Sequence, residues 1–110
     1  MGRFVKGQVV VVPFPFSDLT STKRRPALVV APLVGDDVIL CQITTKNRLD
    51  GYSVSLTASD FVLGGLRHPS FIRPNHLFTT AGELIVRIEG TVTQQKLQEV
   101  IDKLTDIIRN

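Results

Sequence analysis

Three groups of residues in this chain have the types and spacing to act on an anion. The first is Lys23-Arg24-Arg25-Pro26. Pro26 keeps the preceding residue out of the helical region, so Arg25 is expected where a loop becomes a strand. A guanidinium fixed there offers a rigid fork of donors that suits a phosphate or its transition state. The same residues also fit a solvated basic loop, or an Arg25 that meets a carboxylate within the fold. The second group is Ile43-Thr44-Thr45-Lys46, at the end of an expected strand, with Arg48 in the polar loop beyond. A threonine hydroxyl can donate to a phosphate oxygen without ionising, although threonine is also an ordinary strand residue. The third is Ser70-Phe71-Ile72-Arg73-Pro74-Asn75-His76. Arg73, Asn75 and His76 bring a cation, an amide and an imidazole close together, with Arg67 and His68 a few residues upstream. Imidazole titrates near neutrality and suits proton transfer; a histidine that is simply on the surface is the plain alternative.

Other chemistries lack their residues. Gly64-Gly65 reads as a turn, not as a phosphate-cradling loop. No His, Cys and carboxylate spacing suits a metal, so neither a metal nor another cofactor is expected. No Ser-His-Asp or Cys-His arrangement is suggested. With no Trp and a single Tyr, base stacking would fall to Phe, Arg or His.

The elements that must position these groups fit one domain spanning residues 1–110. The apolar content of 43% is that of a soluble globular chain. No run is long enough for a membrane span, and Arg3 and Lys6 lead into too short an apolar stretch for a signal peptide. The lone Cys41 leaves no internal disulfide and fits a reducing cytoplasm. Net charge is +3, and it is uneven: residues 1–76 carry nine Lys/Arg against five Asp/Glu, residues 77–110 four against five. The excess favours an anionic partner such as nucleic acid.

Gln8–Val12 is a strand of valines expected to be buried on both faces. Residues 13–24 read as a long polar loop and Ala27–Ala31 as the second strand. Gly35-Asp36-Asp37 turns the chain into Val38–Thr44, completing a hairpin. Val54 and Leu56 alternate with polar residues in a half-buried edge strand. Ser59-Asp60 starts a helical turn that is expected to stop at Gly64-Gly65. Phe71–Ile72 and Leu77–Thr79 read as strands around Pro74, which forces an edge or a bulge. Thr93 is an N-cap, and Val92 and Leu97 a hydrophobic staple. Leu97, Val100, Ile101, Leu104, Ile107 and Ile108 form a helical stripe that must pack on a sheet. The expected architecture is mainly β: a small, partly open antiparallel barrel with a C-terminal α-helix.

Five segments, in order, resemble the MazF/PemK-type toxins of bacterial toxin–antitoxin systems. They are Lys6-Gly7-Gln8-Val9, Arg25-Pro26-Ala27-Leu28-Val29-Val30, Ile43-Thr44-Thr45, Ser70-Phe71-Ile72-Arg73-Pro74-Asn75, and Gly90-Thr91-Val92-Thr93 with the helix after it. The loop Phe14-Pro15-Phe16-Ser17-Asp18 is similar to the PemK-like branch. The resemblance implies an SH3-like barrel, a cytoplasmic homodimer, and a small antitoxin protein as partner. It also implies metal-independent cleavage of single-stranded RNA by 2′-hydroxyl attack. By position it implies catalytic roles for Arg25, Thr44 and Arg73. Lys23, Arg24, Thr45, Lys46, Arg48, Ser70, Asn75 and His76 are the accompanying candidates for RNA contact. A carboxylate common in the family at position 75 is absent, and His76 stands where an amide is frequent, so no general base is assigned. Two other readings remain at this level. One is a gyrase-inhibiting toxin of the same fold, disfavoured because the chain ends Ile107-Ile108-Arg109-Asn110 without an aromatic tail. The other is a non-catalytic RNA-binding module.

Overall fold

Val9, Val10, Val11 and Val12 are all buried, and this strand organises the molecule. The computed structural model describes residues 3–15 and 22–110. The first strand, β1, runs Gln8–Pro15, followed by β2 (Thr22–Pro32), β3 (Asp37–Thr44), β4 (Val54–Leu56), β5 (Phe61–Gly64), β6 (Ser70–Ala81) and β7 (Arg87–Val92). A helix, α1 (Gln94–Arg109), ends the chain. All seven strands join one antiparallel sheet in the order β4-β6-β3-β2-β1-β7-β5. Its two edge strands, β4 and β5, are separated in sequence only by Thr57 and the 3₁₀ turn Ala58–Asp60. So short a link requires the sheet to curl until its edges approach, which makes a partly open barrel.

Strand alternation gives the central strands two buried faces. Val9, Leu28, Val30, Cys41, Ile43 and Ile72 point inward, where Leu97 and Val100 of α1 complete the core. Val10, Val12, Phe14, Ala27, Val29 and Leu40 point the other way, under Phe4, Phe78 and Ile85. Burial pushes the Cys41 thiol up to about 12, so it is a neutral packing residue. The Thr93 hydroxyl accepts the Lys96 N–H at 3.1 Å and starts α1. Val92 and Leu97 are both buried in the inner core, as a staple requires. The helical stripe holds through Ile107, which faces the Gly51–Tyr52 loop, but Ile108 is 71% exposed. Among the described residues no helix is long and apolar enough to cross a membrane.

Four expectations change. Residues 13–24 are not one loop. Pro13, Phe14 and Pro15 pair with Arg24, Lys23 and Thr22, because Phe14 continues the buried alternation of Val10 and Val12. Arg25 therefore lies within β2, opposite Val12, and not at a strand entrance; residues 16–21 fall outside the described part. The turn begun at Ser59-Asp60 ends at Asp60, and Phe61–Gly64 is a strand. It pairs with β7 because glycines meet there: a Cβ on Gly90 would stand 2.5 Å from the Leu63 carbonyl oxygen. Neither β5 nor β7 was expected, since both are short and irregular in pattern. Finally, Phe71–Ile72 and Leu77–Thr79 belong to one strand. Gln42 pairs with Arg73 but Cys41 with Leu77, so Pro74, Asn75 and His76 form a bulge, with Pro74 fully buried.

Candidate functional site

The face that buries Val10, Val12, Ala27 and Leu40 becomes polar at one end. Arg25 shares the parity of Ala27 on β2, and Gln42 and Thr44 that of Leu40 on β3. Together with Thr45, Lys46 and Arg48 from the following loop, they line a cleft of about 240 Å³. The loop is tied by its own side chains. Asn47 Oδ1 accepts the Leu49 N–H at 3.0 Å, and Asp50 Oδ1 accepts the Tyr52 N–H at 3.0 Å. Leu49 itself takes a left-handed backbone, φ 54°, a conformation that costs a non-glycine residue about 1 kcal/mol or more. Thr44 Oγ1 accepts the Lys46 N–H at 3.2 Å. That contact uses a lone pair and leaves the hydroxyl hydrogen to donate.

Arg73 reaches this face from β6. Its Nη1 donates to Gln42 Oε1 at 3.2 Å, and its Nη2 lies 3.8 Å from Asp50 Oδ2. Its Nε is buried without a partner among the described residues. Asn75 in the bulge donates to Asp50 Oδ2 at 3.4 Å. The Tyr52 N–H foremost, with help from Ser53, Asn75 and Arg73, holds the Asp50 carboxyl below its usual range against the opposing effect of desolvation. Phe71 stands opposite Thr44 on β6.

His76 sits between this polar end and the outer apolar cluster. Its ring makes edge contacts with Phe14 and Phe78, each at 6.3 Å between centroids. Desolvation first, then the charges of Arg73 and Arg48, lower its pKa and favour neutral imidazole.

The remaining candidates are dispersed. Lys23 is exposed two residues before Arg25 on the same side of β2. Arg24 points to the opposite face of the sheet, into a separate cleft with Arg67 and Arg87, so the consecutive cations do not act on one point. Ser70 is buried on the inner side and its hydroxyl donates to the His68 carbonyl at 2.9 Å. Gln42 and Asp50 were not foreseen. Gln42 was legible by its two-residue offset from Thr44, and Asp50 by the turn chemistry of Asp50-Gly51. Among the described residues no three His, Cys, Asp or Glu side chains gather to hold a metal ion.

Residues 5–108 match the model of the family described as PemK-like, MazF-like toxin of type II toxin–antitoxin system. The chain belongs to that family. Among curated proteins none matches this MazF-like chain. Its fold is that of several solved structures. An endoribonuclease from a mycobacterial species superposes with a TM-score of 0.75 at 19% identity, covering 99% of this chain and 94% of that one. A mycobacterial endoribonuclease in complex with its cognate antitoxin gives 0.69 at 17%, covering 96% and 95%. A MazE–MazF structure from Deinococcus radiodurans gives 0.76 at 22%, covering 94% of each chain. The seven-stranded curled sheet and terminal helix are thus the MazF architecture, and the Arg25–Thr44 cleft is a feature of a MazF-like toxin.

Proposed function

We propose that this toxin is a metal-independent endoribonuclease that cuts single-stranded RNA in the cytoplasm, working as a homodimer and silenced by a small antitoxin. The observation that carries the reading is the convergence of Arg25, Gln42, Thr44, Lys46 and Arg48 on one cleft. The similarity to named endoribonucleases supports it.

In the proposed reaction the 2′-hydroxyl oxygen of the RNA bonds to the adjacent phosphorus, and the bond from phosphorus to the 5′-oxygen breaks. The 2′-hydroxyl proton is released and the departing oxygen takes up a proton, leaving a 2′,3′-cyclic phosphate and a 5′-hydroxyl. Charge grows on the non-bridging oxygens. Arg25 meets it with a guanidinium fork and Thr44 with its unused hydroxyl hydrogen. Arg73, anchored by Gln42 and Asp50, adds positive potential from the next strand. A guanidinium barely deprotonates, so Arg25 stabilises charge and is not the base. Lys46 and Arg48 hold neighbouring phosphates, and Phe71 offers a ring to a base. The antitoxin fits the same chemistry: an acidic, hydrophobic tail would mask the cations and fold on binding.

A labelled single-stranded RNA incubated in EDTA tests the reading. Wild-type protein should cut it, and Arg25→Ala should lose about 10²–10³ in rate with an unchanged circular dichroism spectrum, since Arg25 is exposed. An intact RNA after prolonged exposure to wild-type protein would sink the proposal.

A further inference from the structure

The alternation of β2 sends Arg24 away from Arg25, to the opposite face of the sheet. There Arg24 joins Arg67 from the β5–β6 connection and Arg87 from β7 around a cleft of about 500 Å³. Val11, Pro26 and Leu66 supply its apolar wall. Among the described residues, three guanidiniums therefore face one carboxylate, that of Glu89. Glu89 is committed to Arg87, with Nε to Oε1 at 2.6 Å. The side chains of Arg24 and Arg67 make no hydrogen bond or ion pair to any described residue. All three arginines are exposed. Like charges converging on a cleft with so little compensation repel one another, and a bound anion relieves that repulsion.

We propose that this cleft is a second phosphate site, which grips the RNA backbone a few nucleotides from the scissile bond. The inference rests on the ribonuclease reading and extends it. Arg24 and Arg25 are consecutive, so the two clefts lie back to back across the β1–β2 ribbon. A single strand that leaves the Arg25 cleft and folds over this ribbon enters the Arg24 cleft. Guanidiniums suit phosphodiester oxygens, while the apolar wall accepts a sugar or base edge. The site contributes affinity and salt dependence without taking part in bond breaking, so it discriminates long RNA from short.

The test compares wild type with the Arg24→Gln/Arg67→Gln double variant. Binding of a 15-nucleotide and a 4-nucleotide single strand is followed by fluorescence anisotropy, with 2′-deoxy substitution preventing cleavage. The 15-mer should bind on the order of tenfold more weakly to the variant. The slope of log affinity against log salt should shrink by roughly 1.4, about 0.7 for each lost contact. Binding of the 4-mer, kcat on a short cleavable strand and the melting temperature should not change. Equal 15-mer affinity in the two proteins overturns the proposal, as does an equal loss for both lengths. If only wild type binds inorganic phosphate or hexaglutamate while both bind the 15-mer alike, the cleft serves a free anion or an acidic peptide, and its assignment to RNA falls. Wild type that binds neither strand counts against the ribonuclease reading itself.

Discussion

Arg73 and Gln42 are cross-strand partners on β6 and β3, joined by a hydrogen bond of 3.2 Å from Nη1 to Oε1. Pairing resumes at Cys41 and Leu77, so the bulge begins immediately after Arg73. Gln42 lines the cleft that holds Arg25 and Thr44, and its amide is the link between Arg73 and those residues. Without it Arg73 keeps Asp50 as its ionic neighbour, at 3.8 Å. Gln42→Ala should therefore lower kcat on the order of ten- to a hundredfold through loss of orientation, with the fold intact by circular dichroism. An unchanged kcat would remove Arg73 from the proposed machinery.

Thr44 separates hydroxyl chemistry from strand packing. Its Oγ1 already accepts the Lys46 N–H, so the group offers one donor to a substrate. Thr44→Ser keeps that donor and should retain most activity. Thr44→Val keeps the shape, loses the donor and frees the Lys46 N–H. Its kcat should fall by about 10²–10³, the effect of deleting a single oxyanion donor. Equal rates for the two variants would make Thr44 a structural residue.

Lys96 is the buried cation of the helix, 7% exposed. Its Nζ donates to the Ser55 carbonyl at 2.8 Å and to Glu99 Oε1 at 2.8 Å, and lies 3.7 Å from Asp60. It clamps α1 onto edge strand β4 and the turn that follows. Lys96→Met retains the apolar stem but strands the carbonyl and leaves Asp60 without its cation. Urea unfolding should report a loss of about 1–3 kcal/mol. Glu99→Ala, at an exposed end of the same cluster, should cost about 0–1 kcal/mol.

His76 gives the protein a pH dependence. Its pKa is depressed in the fold by desolvation and by Arg73 and Arg48, so the unfolded chain binds the proton more readily. Stability from this group is complete above the unfolded value of about 6.5 and is lost as pH falls through the lower folded value. Asp50, whose folded value is also depressed, acts in a separate window, below about 3.9. Urea midpoints should therefore fall as pH drops below about 6.5, and His76→Gln should flatten that part of the curve. A wild-type curve level down to the carboxylate range would contradict the assignment.

Features whose cause is local were legible from the order of residues alone. Four consecutive valines made a doubly buried strand, Thr93 and the apolar spacing after it made the helix, and Pro74 made a bulge. Alternation along β3 already aligned Gln42 with Thr44. The five family-like segments pointed to the MazF architecture because each keeps its order and spacing. Tertiary structure decided what depends on pairing. β7 forms by pairing with β1, and β5 adds to it because Gly64 and Gly90 let two backbones approach, contacts between residues far apart in the chain. Arg24 and Arg25 look like one basic patch in sequence, yet the two-residue period of a strand sends them to opposite faces. Arg87 reaches Arg24 only because β7 pairs with β1 and sets Arg87 opposite Val11, and Arg67 because β5 lies beside β7 and leads into the connection that carries it. Arg73 meets Gln42, and His76 meets Phe14, because the bulge sets the register of β6 against β3. Register is fixed by which faces must be buried across the whole sheet, and no single segment carries that information.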